Sequence, residues 1–538
     1  MRLSLVANIV LLLVLMGRLN AQVAKDNFII RGNIVSAVTG QPLERTDVSI
    51  GTVEHLDKTL RELLTGPDGS FSLAGLAPGK YWLAAQKNGF RKQLYEQHGI
   101  FTSAIAVGPG LISDHISFRL HPDAAISGKI TDSENEAVPN ATVLLFRRDA
   151  SRGFVLTFQT AQTMSDDRGY YHFGHLESGR YFVVVSGQPW YGSIATSLRE
   201  SSEYDPVAAD SADLDMAYPT TYYPGVTNPA SGSSIMLHEG ADFIADVILT
   251  PTPALRLRIN HANGAPGQPR EVTLKQYVFG TMIDPPTTRH ESRGDTVEIL
   301  GIPSGKYILE VESSVSTDKV HGRVIELTAD SDIDANSAAT LPMVSGAVQR
   351  DGGLTIDPQA FVQLWNSRTA EALNTVLTAN GEFSFDDEFL VPGTYSIFVV
   401  NGESLLVGAI SAIGAQAIGQ SIQITGSTPV RLTIRAALGL AVINGIARHN
   451  GKPIAGAMII LVPENAKSNV PIFRRDQSDS DGSFTLRDIL PGKYKILGIE
   501  NHWDLEWADP AVLNAHSDKA VDVEIRPSMK YEITVETQ

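Results

Sequence analysis

The chain of 538 residues contains no cysteine. Disulfides, thiol chemistry and a lipidated N-terminal cysteine are therefore excluded. The paired ligands of a metallopeptidase, H-E-x-x-H, do not occur, and neither does the G-x-S-x-G elbow that exposes a serine nucleophile. Positive charge is in deficit, with 43 Lys and Arg against 60 Asp and Glu, and a formal net charge of -17 repels phosphate backbones and anionic lipid surfaces. Nucleic acid is not an expected partner. Apolar runs long enough to cross a bilayer are also missing, so no membrane insertion is expected. The short apolar run at residues 1–21 reads instead as a signal peptide: Arg2 gives the positive start, residues 3–16 the apolar centre, and Leu19-Asn20-Ala21 a cleavage site. The mature chain is expected to begin near Gln22, in the periplasm or outside the cell, free or associated with the cell surface.

What the chain does have is a stretch that recurs five times. Asp481-Gly482-Ser483-Phe484 runs to Leu490-Pro491-Gly492-Lys493-Tyr494, Asp68-Gly69-Ser70-Phe71 to Ala77-Pro78-Gly79-Lys80-Tyr81, and Arg168-Gly169-Tyr170-Tyr171 to Ser178-Gly179-Arg180-Tyr181. Weaker copies run from Asp295-Thr296-Val297 to Gly305-Lys306-Tyr307 and from Asn380-Gly381-Glu382-Phe383 to Gly393-Thr394-Tyr395. Asp-Gly before alternating apolar residues is a hairpin signal, because glycine takes positive φ without a Cβ clash. One strand is expected to start at each Phe or Tyr, and a second to leave the Pro-Gly turn. The Tyr that follows should point inward with its hydroxyl at the sheet end. Five copies at one offset are explained by a backbone that needs the same turns five times. Asp479-Ser480-Asp481-Gly482 also resembles a piece of a calcium loop, but the further oxygen ligands are absent at the required spacing.

The openings recur too, as Ile30-Arg31-Gly32, Ile126-Ser127-Gly128 and Ile443-Asn444-Gly445. Each copy is expected to close on an alternating strand, at residues 116–120, 243–249, 430–434 and 521–525. Leu60 to Thr65 reads as a strand, by analogy with Thr375-Val376-Leu377-Thr378 ahead of the corresponding turn. Short strands, glycine-rich turns and no long helical period give an all-β chain: about five tandem antiparallel β-sandwich domains, Ig-like or transthyretin-like, behind the signal peptide. The expected spans are 28–123, 124–253 with an insertion at 187–225, 254–341, 342–438 and 439–538.

This pattern of opening, turn and closing strand resembles the carboxypeptidase regulatory-like domain family and its relatives, the transthyretin-like and collagen-binding B-type modules. The resemblance implies exported accessory modules that pack beside a peptidase, precede a receptor barrel or space other domains. No catalytic or barrel segment follows here, so the modules are expected to be the whole protein. Collagen-binding relatives can cross-link Lys to Asn with an acidic residue. Glu310 stands where that acid would be, but the opening strand offers Arg256 and Arg258, so the cross-link is not carried over.

The insertion in the second repeat carries Trp190, Tyr191, Tyr204, Tyr218, Tyr222 and Tyr223 among polar residues. Aromatic faces with polar neighbours suit a sugar ring, which makes Trp190, Tyr191, Tyr222 and Tyr223 the candidate ligand-binding residues. The alternative is that Tyr222-Tyr223-Pro224-Gly225 staples a long loop to its own sandwich. Trp503 and Trp507 form a second, smaller aromatic cluster. His172 and His175 lie three apart in a strand without a third ligand and read as exposed histidines rather than a zinc site. No catalytic residue, metal or cofactor is expected. The sequence reads as a non-enzymatic scaffold or binding protein of the bacterial envelope, with a polysaccharide or another envelope protein as partner. A carbohydrate-binding protein is the second reading, and a hydrolase or peptidase accessory the third.

Overall fold

The computed structural model describes residues 28–192, 215–260, 270–286, 289–313, 321–335, 343–349, 356–357, 359–366, 372–385, 390, 392–400, 407–426, 428–437 and 440–538. The expected signal peptide at residues 1–21 and Tyr204 lie outside these. The chain divides into two compact units, residues 1–120 with Asp479–Asp481, and residues 121–478 with 482–538.

In the first unit the strands are β1 (Phe28–Ser36), β2 (Asp47–Thr52), β3 (Arg61–Leu64), β4 (Ser70–Leu76), β5 (Gly79–Lys87), β6 (Phe90–Leu94), β7 (Ile105–Val107) and β8 (Ile116–Leu120). One sheet has the order β4-β1-β8 and the other β3-β2-β5-β6, with β7 also on β5. Ile30, Ile34, Val48, Ile50, Leu83 and Phe118 fill the space between them. Neighbouring strands are antiparallel except that β8 runs parallel to β1. Such a parallel pair joins the opening and closing strands of every repeat.

The Asp-Gly turn does not make the expected hairpin. β3 pairs with β2 in one sheet, whereas β4 pairs with β1 in the other, so the turn at Asp68-Gly69 carries the chain across the sandwich. The Pro78-Gly79 turn carries it back, because β5 returns to the partner β2. The local turn chemistry was read correctly, but it cannot say to which sheet the outgoing strand belongs. Only the third repeat makes a true hairpin here. Arg289–Arg293 pairs directly with Thr296–Ile302 across Gly294-Asp295. Gly482 shows why the crossing turn needs glycine: its φ is +79°, and a Cβ would lie 2.6 Å from the Ala447 carbonyl oxygen and 2.9 Å from Pro453 Cβ.

The Tyr after each Pro-Gly or Ser-Gly turn is buried in all five repeats. In four of them its hydroxyl donates to the carbonyl four residues back: Tyr81 to Ala77 (2.9 Å), Tyr181 to Glu177 (3.0 Å), Tyr307 to Pro303 (2.7 Å) and Tyr494 to Leu490 (2.9 Å). The second crossing is thus pinned by a ring in the core and a hydrogen bond at its rim.

The second unit holds four further sandwiches, each with its own core, drawn from residues 124–249, 255–335, 344–436 and 441–535. One expected closing strand is misplaced. Val521–Ile525 pairs with Gly492–Ile499, and it is Lys530–Glu536 that lies parallel to the opening strand Ala441–His449. Both segments alternate, so alternation alone could not choose between them.

Two strands depart from simple alternation. Val143-Leu144-Leu145-Phe146 and Met458-Ile459-Ile460-Leu461 are buried at all four positions. Val143 and Leu145 enter the second repeat's own core, while Leu144 and Phe146 join Val184, Tyr222 and Val278 in a separate cluster. Phe279 of the third repeat completes it, with ring centres 5.3 Å from Phe146, 5.0 Å from Phe182 and 5.4 Å from Tyr222. In the fifth repeat Ile459 and Leu461 face inward, and Met458 and Ile460 join Phe473, Leu497 and Leu513 outside it. A sheet apolar on both faces must be covered twice. Here the second cover is a neighbouring repeat or an excursion of the chain.

Candidate ligand sites

The four aromatic residues singled out in the second repeat do not share one surface. Trp190 is 63% exposed and meets Tyr191 edge to face, with ring centres 5.6 Å apart. Tyr222 is buried: its strand Thr221–Tyr222 extends the sheet by pairing with Val184 and Val185, and its ring packs on Phe279. Burial pushes its phenol up to about 12. Tyr223 leans on the second repeat's core, its ring centre 6.2 Å from that of Phe243, and its N–H donates to the Val183 carbonyl. Tyr218 is buried in that core, with a phenol raised by burial and then by the charge of Asp132. Trp190 and Tyr191 therefore offer aromatic surface, and Tyr222 and Tyr223 hold the end of the insertion to its sandwich.

His172 and His175 are both exposed, and His175 Nδ1 lies 2.6 Å from an Asp123 carboxylate oxygen. Among the described residues no three His, Asp or Glu side chains converge on a possible metal position. Glu310 accepts a hydrogen bond from the Thr273 hydroxyl at 3.0 Å.

Sequence reading missed a cleft of about 550 Å³ in the second unit. Its floor is the outer face of the fourth repeat's sheet. Along Phe361–Asn366 the core takes Val362 and Leu364, which turns Gln363 and Trp365 outward. Register then sets Phe398 beside Gln363 and Ser396 beside Trp365. The facing wall is the fifth repeat's 3-10 turn Val470–Ile472 with Phe473, Arg474 and Trp507, and Arg152 also lines the space. Trp507 stands here because Phe473 meets it edge to face at 5.8 Å. The sequence had marked Trp507 as part of an aromatic cluster, but not its neighbours from other repeats.

The polar groups of this cleft are few. The Arg474 guanidinium donates to the carbonyls of Pro471 (3.0 Å), Phe473 (2.6 Å) and Asp488 (3.2 Å), and burial lowers its pKa from the usual arginine value. Its Nη2 makes no hydrogen bond to a described residue. Gln420 is 6% exposed; its backbone is bonded, N–H to Ser468 O and carbonyl to Ile397 N–H, but its Oε1 is buried without a partner. No carboxylate stands among the described lining residues.

The model of the family described as carboxypeptidase regulatory-like domain matches residues 29–112 and 125–199, the first repeat and much of the second. No curated protein matches the sequence. Among solved structures, the chain is similar to the Bacillus anthracis TIE protein, at 9% identity over 96% of this chain and 76% of that one, with a TM-score of 0.18. It is also similar to a streptococcal ancillary pilin, at 13% identity over 53% of this chain and 99% of that one, with a TM-score of 0.18. The minor pilin GBS52 of Streptococcus agalactiae gives 12% identity over 36% and 94%, with a TM-score of 0.19. Scores this low add nothing to what the sheets themselves establish.

Proposed function

We propose, from a chain whose first two sandwiches are carboxypeptidase regulatory-like domains, that it is an exported, non-enzymatic scaffold or binding protein of the bacterial cell envelope. The observation that carries this reading is the double-sided burial of the strand at 142–149, whose outer face packs on Val278 and Phe279 of the third repeat. Apolar side chains that would otherwise face water are spent there on fixing the second and third sandwiches against each other. A chain of independent linkered beads has no use for such faces; a scaffold that holds binding surfaces at set distances does. No helix among the described residues is long and apolar enough to cross a membrane, and the net negative charge disfavours nucleic acid and anionic lipid surfaces. The partner is then a polysaccharide or another envelope protein. The test is a screen of the purified chain against polysaccharides and envelope extracts, alongside assays with peptide and glycoside substrates. Saturable binding without turnover supports the scaffold; turnover of either substrate class would replace it with an enzyme.

A second reading, carbohydrate binding through the insertion of the second repeat, is favoured by one observation: Trp190 keeps most of its indole exposed beside Tyr191. Stacking of sugar C–H faces needs such a surface.

A further inference from the structure

The cleft on the fourth repeat's outer sheet has three properties that a passive junction does not require. Its body is apolar and aromatic, with Trp365, Phe398, Ile472 and Phe473. Its described lining carries the cations Arg152 and Arg474 and no carboxylate. Gln420, on the same lining, keeps a buried carbonyl oxygen with no donor.

We infer that the cleft binds a small amphipathic anion: an apolar or aromatic body bearing one carboxylate- or sulfonate-like group and an N–H or O–H. Each part answers one feature. The body replaces water against the aromatic and aliphatic wall, where removal of apolar area from water drives association. The anion meets Arg152 and the unbonded Nη2 of Arg474, and a charge-assisted hydrogen bond there is stronger than a neutral one. A turn of the Gln420 amide toward the cleft lets the ligand N–H or O–H supply the donor that Oε1, shut off from solvent in this structure, lacks. A volume of about 550 Å³ holds a molecule of two or three rings, within the range of ordinary small-molecule sites. The aliphatic share of the wall, with Val400, Val407 and Pro471, distinguishes it from a sugar site, since it leaves most hydroxyls of a saccharide without partners.

The probe is 8-anilino-1-naphthalenesulfonate, an aromatic anion with an N–H, titrated by fluorescence into the full chain. N-phenyl-1-naphthylamine, which keeps the rings and N–H but lacks the charge, is the control. Saturable binding is expected, with the uncharged control weaker by about tenfold. Arg152→Gln should weaken the anion and leave the control unchanged. Gln420→Leu should weaken both by about three- to tenfold, the worth of one hydrogen bond. Ala372 is exposed at the cleft's edge, so Ala372→Trp should block both probes while the melting temperature holds. The inference is overturned if no saturable binding occurs, if the uncharged probe binds as tightly as the anion, or if the folded Ala372→Trp variant binds as the parent does.

Discussion

The Arg475 guanidinium lies 3.9 Å from the centre of the Trp507 indole, and both side chains donate to the same carbonyl, that of Ser151: Trp507 Nε1 at 3.3 Å and Arg475 at 3.4 Å. Around this pair Ala508 N–H donates to Gly153 O at 3.0 Å and Val155 N–H to a Glu506 carboxylate oxygen at 2.9 Å. The fifth repeat thereby grips a loop of the second through backbone groups, which need a fixed approach rather than particular side chains on the loop. Burial pushes Arg475 down to about 10, so it remains a cation at neutral pH. Arg475→Lys keeps the charge but loses the flat guanidinium that stacks on the ring. We expect a cost of about 0.5–2 kcal/mol by denaturant titration and faster proteolysis between residues 150 and 155. An unchanged cleavage rate would mean that the backbone bonds hold the loop without the pair.

Gly482→Val tests the crossing turn. A branched residue at φ +79° meets the Ala447 carbonyl and the Pro453 ring, and the left-handed conformation alone costs about 1–2 kcal/mol. The expected result is a lowered melting transition for the fifth repeat. Gly294→Val is the contrast: nothing lies within 4 Å of its Cβ position, so the cost there should be confined to the backbone term.

The buried tyrosines set a limit at alkaline pH. Desolvation raises Tyr95, Tyr222 and Tyr494 to about 12, while an unfolded chain titrates them near 10. Between those values the unfolded state releases protons that the native state keeps, so stability falls as pH rises. The contribution is present in full below pH ~10 and lost on approach to about 12. Urea midpoints measured from pH 8 to 12 should drop in that window, and Tyr494→Phe should reduce the drop. The same variant at pH 8 should cost about 0.5–1.5 kcal/mol for the lost bond to Leu490.

Much of this architecture was legible because its turns are chemical. Gly482, Gly492 and Tyr494 each answer a local backbone need, and their spacing announced five sandwiches. The sheet crossings were not legible, since Asp68-Gly69 is the same turn whether the next strand pairs with β3 or with β1. Repeat contacts were not legible. The apolar runs at 143–146 and 458–461 are continuous, but nothing in the sequence says that Phe279 of the third repeat covers the first or that Phe473 of the fifth repeat's own loop covers the second, because contacts of this kind share no period. The cleft escaped for the same reason: Trp365, Gln420 and Trp507 lie far apart in the chain and converge only through register.

The last prediction separates the two roles of the aromatic insertion. Trp190 and Tyr191 can be replaced by Ala together at lower cost in stability than Tyr222, because Trp190 is 63% exposed and Tyr191 half-buried; exposed positions usually cost far less than core positions when truncated. Tyr222→Ala removes a buried ring from the cluster with Phe146 and Phe279, and buried aromatic truncation costs about 3–5 kcal/mol. We therefore expect Tyr222→Ala to destabilise the second repeat and speed cleavage near residues 250–254, whatever the ligand. If the insertion binds polysaccharide, the Trp190 and Tyr191 double variant should lose that binding on a glycan array while melting like the parent. Retention of glycan binding by a folded double variant would move the site elsewhere. Loss of folding in that variant would show that the exposed indole is part of the sandwich's own structure.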